Sequence, residues 1–359
     1  MLGRVVSILL IFAPGSVFEM IVIARCAKRA VAIQLDCFVV PPSGTSRNDR
    51  IRRLTLNVPN YAQNSPPGST PARGFSFTSG DARIDVVVAV EVAQSDKLIT
   101  HWIKAAAEAV TGYYGHFPVE RLAITVAPRK GEAVNSGTEY EGRRIVIHLD
   151  PGARAGDLDD DWMLVHEMFH LGFPKVSRRY HYLEEGLSDY LEPLARARVG
   201  QLDASRVWHD YVEGINRVAH KIPAQGLDGT HDWAQVYWGG CLFWLLVDID
   251  IRERSDNKRC LDDAIRAIVH AGGTGGTEWS LEQIVAIGDG ATGTGSIRRI
   301  HDQFGASGGD PQLDSLWNKL GIHLDGRNIE FDNTAPLSAL RQAITQPADQ
   351  TQLSPRVRP

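Results

Sequence analysis

A run of apolar residues interrupted by three polar ones constrains this chain more than any other stretch. Between Trp162 and Leu171 every position is apolar except His166, Glu167 and His170, which form the pattern His-Glu-x-x-His. So apolar a run predicts a helix that is buried on most sides. Because residues four apart share one face of a helix, the two histidine rings can be directed at a single point.

Two imidazoles that converge from successive turns are typical of a zinc site. Glu167 follows about 100° further round the helix, where it can reach a water molecule on that metal. The alternative is a chance match on a surface helix that carries two histidines. The apolar flanks argue against a solvated face, and the downstream residues decide between the two interpretations.

A third ligand is predicted on the next helical segment, residues 181–199. A catalytic site with two histidines needs one more protein ligand and one open position. Glu185 lies 15 residues beyond His170, which leaves room for a turn and a returning helix. Asp189 is one turn further on the same face, where it can accept the free ring N–H of a ligating histidine. Glu184 points elsewhere, and the alternative for these acids is solvation of a helix surface.

The combination of HEMFH at 166–170 with EGLSDY at 185–190 resembles the gluzincin metallopeptidases, the clan of thermolysin and aminopeptidase N. The segment YWGG at 237–240 is similar to the Tyr-Glu-Lys-Gly of aminopeptidase N relatives. Further segments that fit aminopeptidase N or glycyl aminopeptidase relatives are 113–118, 245–252 and 260–266. The resemblance covers about residues 84–272, and its metal motif is the most specific part.

The predicted elements, a small mixed β-sheet followed by a mainly helical half, indicate an α+β fold, and the resemblance implies that it is the thermolysin-like catalytic domain. It implies one zinc ion with His166, His170 and Glu185 as ligands. Glu167 would be the general base, and Asp189 would orient His166.

Tyr237 would stabilise the oxyanion in such a site, and core packing among its aromatic neighbours is the alternative. Three departures bear on the expected specificity. The spacer between His170 and Glu185 is shorter than in aminopeptidase N, and the large N-terminal β domain has no room here. The Gly-x-Met-Glu-Asn segment that grips a substrate's amino terminus is missing, although NSGTE at 135–139 lies in roughly its place. Substrate-binding residues are therefore left unassigned.

The sequence thus predicts a zinc-dependent metallopeptidase with a peptide or protein substrate, exo- or endopeptidase unresolved. The competing hypotheses are a non-catalytic zinc-binding scaffold that holds a peptide or partner, and a zinc hydrolase of non-peptide substrates. With a net charge of −5 and one short basic cluster at 47–53, no nucleic-acid surface is indicated. The oligomeric state is left open.

The N-terminal apolar run, Val5–Ala13, is preceded by Arg4 and followed by Pro14 and resembles a short secretory signal. Export to the periplasm is expected, with a cytoplasmic location as the alternative, and no integral membrane domain is expected. The predicted segments are 1–40 (signal or disordered extension), 41–80 (linker or loose strands), 81–333 (peptidase domain, with a sheet part at 81–150 and a helical part at 157–333) and 334–359 (tail).

Local patterns predict the elements of the peptidase domain. Strands are expected at Ala82–Val90, Arg121–Ala127 and Arg143–Leu149, and a helix capped by Thr100 is expected to run through Tyr114. Further helices are expected near 181–199, 202–219, 232–254, 260–271, 280–287, 294–304 and 311–320, with a short one after Ala335. The glycine-rich stretches 271–276 and 288–295 are interpreted as loops. Cys241 and Cys260 are interpreted as free thiols, with a bridge between them as the alternative in an exported protein.

Overall fold

The computed structural model describes residues 20–24, 31–35, 72–219, 222, 224–325 and 328–346. The chain divides into two units, Met1–Asn64 and Ser65–Pro359. In the first unit, β1 (Met20–Ala24) and β2 (Val31–Leu35) pair in antiparallel fashion. The rest of the expected signal and linker, up to residue 71, lies outside the described residues.

A five-stranded mixed sheet forms one side of the second unit. Its strands are β3 (Arg73–Ser79), β4 (Ala82–Val88), β5 (Arg121–Pro128), β6 (Val134–Tyr140) and β7 (Arg144–Leu149). The spatial order is β3-β4-β5-β7-β6, with a parallel centre and two antiparallel edges. Alternate residues of the central strands, such as Ile84, Val86 and Val88, are fully buried on one face, as the two-residue repeat of a strand requires.

The sequence patterns identified the three parallel strands but missed β6. Asn135, Ser136 and Gly137 are poor strand formers, so the local pattern does not indicate a strand. Pairing with β7 supplies the backbone hydrogen bonds instead, with an irregularity in register between Val134 and Ser136. This strand is the edge of the sheet that runs beside the His-Glu-x-x-His helix.

Eleven α-helices lie in the described residues: α1 (Asp96–Tyr114), α2 (Ala155–Asp159), α3 (Met163–Phe169), α4 (Tyr182–Arg198), α5 (Ala204–Ala219), α6 (Gly240–Arg254), α7 (Leu261–His270), α8 (Leu281–Thr292), α9 (Ser296–Ile300), α10 (Leu313–Leu320) and α11 (Ser338–Thr345). Short 3₁₀ turns at His170–Gly172 and Arg178–Tyr180 flank the return from α3 to α4. Two π-helical turns, Gln235–Gly239 and His301–Gly305, adjoin α6 and α9. The α+β class with a sheet followed by a helical half is therefore confirmed.

Two predicted boundaries were wrong. α1 begins at Asp96 rather than after Thr100, because the Ser95 hydroxyl accepts a hydrogen bond from Leu98 N and so caps the helix. Gly288–Thr292 belongs to α8 instead of a loop. The helices expected at 294–304 and 232–254 are both present, and each contains a π-helical turn.

The hairpin of β8 (Ile322–Asp325) and β9 (Asn328–Phe331) was also missed. It interrupts the region that was expected to be helical. After it, α11 packs back onto α4, since Arg198 of α4 donates hydrogen bonds to the carbonyl of Ile344.

One continuous apolar core joins the sheet to the helices. α1 covers the sheet through Ile99 and Ile103, both fully buried. α3 is buried along its whole length and lies between α1, α4 and the edge strand β6. Because of this packing, the short helix that carries the histidines is held rigidly on several sides. None of the helices in the described part of the chain has the length and hydropathy to cross a bilayer.

Candidate metal centre and active site

Three side chains from two helices bring their donor atoms together. His166 Nε2 and His170 Nε2 are 3.2 Å apart, and Glu185 Oε2 lies 3.2 Å from the former and 3.5 Å from the latter. The histidines come from α3 and the turn that ends it, and the glutamate comes from the first turn of α4. Among the described residues, this is the group of His, Cys, Asp and Glu side chains that could hold a metal ion.

The spacing of the three donor atoms fits zinc. Zinc–ligand distances of about 2.0–2.2 Å place neighbouring donors of a tetrahedron about 3.3–3.6 Å apart. The observed separations of 3.2, 3.2 and 3.5 Å form almost that triangle. Two imidazoles and one carboxylate are also the donor set of a catalytic zinc site that keeps its fourth position open. The residues therefore fit a single zinc ion.

The ring nitrogens that face away from this triangle also have partners. His166 Nδ1 lies 3.0 Å from Asp189 Oδ1, and His170 Nδ1 lies 3.4 Å from the Ser188 hydroxyl. Such contacts fix the orientation of a ligating ring and its tautomer. Asp189 thus stands where the sequence analysis expected an orienting carboxylate.

Glu185, the third candidate ligand, also has a contact outside the donor triangle. Glu185 Oε1 lies 3.3 Å from His181 Nε2, one helical turn earlier. Glu184 turns the other way: its carboxylate accepts a hydrogen bond from Val176 N at 2.8 Å. The choice of Glu185 over Glu184 agrees with this geometry.

Glu167 is buried beside the metal-ligand triangle and against the edge strand. A methyl group in place of the Gly137 hydrogen would lie 2.6 Å from Glu167 Cγ and 2.9 Å from Oε1. The strand can therefore approach this carboxylate closely only because residue 137 has no side chain. Burial raises the pKa of Glu167, and His170 and His166 oppose that effect. A raised pKa suits a carboxylate that must take up and release a proton near neutral pH.

Tyr237 also reaches the centre. Its ring stacks on His166, with centroids 5.8 Å apart and planes inclined by 20°, and its hydroxyl hydrogen-bonds the Glu185 carboxylate. It lies in the π-helical turn Gln235–Gly239, whose wider winding changes the direction in which side chains point. Burial, followed by the nearby carboxylates of Glu185 and Asp189, raises the pKa of Tyr237 well above its ordinary value, so the phenol keeps its proton.

A glycine pair sets the distance between the helix of Glu185 and the turn of Tyr237. A Cβ atom at Gly186 would lie 2.2 Å from Gly240 C and 2.3 Å from its Cα. A Cβ atom at Gly240 would in turn lie 2.3 Å from the carbonyl oxygen of Tyr182. The two backbones are thus in direct contact, one residue after Glu185 and three after Tyr237.

The electrostatics of the site favour a cation. Burial would lower the pKa of His166, but the hydrogen bonds that its ring donates to the Asp189 and Glu185 carboxylates outweigh it and hold that pKa well above its ordinary value. Burial would raise the pKa of Glu185, yet His170 and His166 hold it well below its usual range. Carboxylates that stay ionised around two imidazoles attract positive charge, whether a proton or a metal ion supplies it.

Other residues at the centre were not identified from the sequence. Ser188 and His181 both contact metal-ligand side chains, and their positions three after and four before Glu185 on one helix were the available signal. Lys175 was missed because it approaches the site from a segment without helical or strand periodicity. Of the other histidines that follow β5 in the sequence, His148 lies on β7 and His209 on α5, while His220 is outside the described residues.

Solved structures share this arrangement of sheet and helices. An aminopeptidase N family protein from Idiomarina loihiensis matches with a TM-score of 0.51 at 14% identity, over 70% of this chain and 49% of that one. The chain has an aminopeptidase N-like fold. The resemblance to aminopeptidase N relatives that the sequence indicated is confirmed at the level of the fold.

Two further structures are similar at lower scores. A two-domain M1 zinc metallopeptidase bound to L-arginine has a TM-score of 0.46 at 14% identity, over 68% of this chain and 54% of that one. An M1 zinc metallopeptidase from Deinococcus radiodurans has a TM-score of 0.42 at 15% identity, over 64% and 51%. This chain spans about half the length of each of these proteins. No family model and no curated protein matches the sequence.

Proposed function

We propose that this protein is a zinc-dependent metallopeptidase that hydrolyses peptide bonds. The observation that carries the proposal is the triangle of His166, His170 and Glu185 donors at the spacing of a zinc tetrahedron, with buried Glu167 beside it. The aminopeptidase N-like fold supports the same conclusion.

A zinc ion bound there would acidify a water molecule and polarise the scissile carbonyl. Glu167 accepts the proton of the attacking water and passes it to the leaving amine, a role to which its raised pKa is suited. The Tyr237 hydroxyl donates a hydrogen bond to the developing oxyanion, a contact worth about 2.7–4 kcal/mol in other hydrolases. Asp189 and Ser188 contact the outer ring nitrogens of His166 and His170, respectively, and so fix the orientation in which the two rings would bind the metal.

The first test is metal analysis of purified protein. We expect about one zinc per chain, since one set of three donors converges in the part of the chain that the structure describes. His170→Ala should lose most of that zinc, whereas His209→Ala should retain it because His209 lies on α5 beside Asp210. Equal zinc content in both variants would refute the assignment of the ligands.

The second test separates metal binding from chemistry. Glu167→Gln should keep its zinc, because Glu167 is not one of the three donors, but it should lose hydrolysis of a peptide library. A matched control is Glu213→Gln, which changes a half-exposed glutamate of α5. Full activity of Glu167→Gln would exclude the general-base role.

The same library distinguishes the alternatives. A non-catalytic scaffold would bind peptides without turnover in the zinc-loaded wild type. A hydrolase of non-peptide substrates would be inactive on peptides but active on ester or amide substrates of other classes, and phenanthroline would inhibit it. Peptide turnover that this chelator abolishes is the outcome that supports the proposal.

A further inference from the structure

A lysine occupies a carboxylate pair beside the proposed catalytic centre. Lys175 Nζ lies 2.9 Å from Glu139 Oε2 and 3.5 Å from Glu184 Oε2. The Glu139 side chain is only 1% exposed and that of Glu184 only 6%, whereas the lysine side chain is 38% exposed. Two buried carboxylates therefore share one ammonium group that reaches them from the solvent side.

One member of the pair, Glu139, lies on the strand that packs against the proposed general base Glu167. Glu139 is two residues from Gly137 on β6, so both residues face the same side of the strand. Gly137 is the residue in contact with Glu167. Glu139 Oε2 also lies 3.4 Å from the site of a Cβ atom on Gly275, and that site is 2.6 Å from the carbonyl oxygen of His170. Lys175 also interacts electrostatically with the carboxylates of Glu167 and Glu185, so the carboxylate pair that it fills adjoins the proposed catalytic centre.

The position of the lysine is built into the fold. Its backbone N–H donates to the carbonyl of Thr277 at 2.8 Å, and its own carbonyl accepts from Trp279 N at 2.9 Å. The next residue, Val176, donates its N–H to Glu184. With its backbone held on both sides, Lys175 has its Cα atom fixed within reach of the two carboxylates.

The remaining carboxylate oxygens are also engaged. Glu139 Oε1 accepts a hydrogen bond from Gly142 N, and Glu184 Oε1 accepts the one from Val176 N. Each acid therefore offers one oxygen to an ammonium group, and Lys175 takes both. Burial would lower the pKa of Lys175, but Glu184 and Glu139 outweigh it and raise that pKa, so the lysine stays charged.

We propose that Lys175 is a specificity-determining residue, because its ammonium fills the Glu139–Glu184 carboxylate pair that would otherwise bind the free amino terminus of a substrate. The substrates are then peptide chains recognised without their α-amino group, including chains with blocked amino termini. This proposal rests on the peptidase function proposed above and assigns the substrate class of that same site.

The test compares two versions of one peptide library, with free and with acetylated amino termini, on zinc-loaded wild-type protein, and locates the cleaved bonds by mass spectrometry. We expect internal cleavage of both versions with kcat/KM values within about threefold of each other, a difference of less than 1 kcal/mol. A preference of tenfold or more for the free amino terminus, or release of single amino-terminal residues alone, would overturn the proposal.

Variants test the mechanism of that selectivity. Lys175→Met vacates the carboxylate pair, so the preference should shift towards free amino termini by about 10- to 100-fold, as expected for one charge-assisted hydrogen bond. Adding Glu139→Gln to that variant should abolish the shift. Lys258→Met, at an exposed lysine paired with Asp256, is the matched control and should behave as wild type. An unchanged preference in folded Lys175→Met, checked by its melting curve, would refute the role of Lys175.

A binding measurement separates failure of this proposal from failure of the proposed function. Affinities of the same free and acetylated peptides, labelled with a fluorophore at the carboxyl end, are measured on zinc-free wild type by anisotropy. Equal affinities support the proposal even if the zinc-loaded protein cleaves neither peptide, in which case only the catalytic function fails. A tenfold preference for the free amine, or binding of neither peptide, overturns it.

Discussion

The contact between Gly186 and Gly240 predicts that one added methyl group will damage the site. In Gly186→Ala the new Cβ would lie 2.2 Å from Gly240 C and 2.7 Å from Cys241 N, whereas carbon atoms in ordinary contact are about 3.5–4.0 Å apart. Both neighbours are backbone atoms, so no side-chain rotation relieves the overlap. α4 and the start of α6 must separate by on the order of 1 Å.

Separation of the two helices should reduce both the stability of the fold and the rate of turnover. Overpacking of this type lowers the free energy of unfolding by about 1–3 kcal/mol. The better helix propensity of alanine offsets about 1 kcal/mol of that loss at most. Glu185 precedes the added methyl group and Tyr237 lies on the opposing element, so their hydrogen bond and the donor triangle open together. A misplacement of about 1 Å in a catalytic geometry can reduce turnover by about 100-fold.

The assay is denaturant unfolding together with zinc affinity and peptide turnover. Gly290→Ala is the control: Gly290 lies in α8 with nothing within 4 Å of an added Cβ, so alanine should be neutral or stabilise by about 0.5–1 kcal/mol. We expect Gly186→Ala to lose turnover by a larger factor than its loss of folded protein explains. If it matches wild type in stability, zinc affinity and turnover, the close-contact reasoning is wrong.

Three further predictions follow from single contacts. Asp189→Asn removes the carboxylate 3.0 Å from His166 Nδ1, and titration with a competing chelator should show zinc affinity lowered by about 10- to 100-fold. Tyr237→Phe keeps the ring that stacks on His166 but loses the hydroxyl, so kcat should fall by about 10²- to 10³-fold at unchanged zinc content, and an unchanged kcat would contradict the oxyanion role. Burial would raise the pKa of Asp262, but Arg198 and Arg266 hold it below its ordinary value, so its contribution to stability is present above about pH 4 and lost as the pH falls through the lowered value. Asp262→Asn should therefore cost about 3–5 kcal/mol in urea unfolding at pH 7 and progressively less as the pH is lowered below about 4, and a cost that does not fall with pH would refute the assignment.

The sequence alone determined the features that depend on spacing within one helix. His166 and His170 are four residues apart, as are Glu185 and Asp189, so each pair shares a helical face whatever surrounds the helix. Two-residue alternation likewise identified the parallel strands β4, β5 and β7, because one face of each is buried and the other is not. Such local patterns were sufficient for the fold class and for the candidate metal ligands.

The tertiary structure decided what depends on contacts between residues distant in sequence. β6 has a poor strand pattern and exists because β7 supplies its hydrogen bonds. Tyr237 points at His166 because of a π-helical turn and the contact of Gly186 with Gly240. Lys175 reaches Glu139, 36 positions earlier, only because the segment at 277–279 holds its backbone. None of these contacts has a periodicity that could be recognised in the sequence, since each arises when two separate elements pack together.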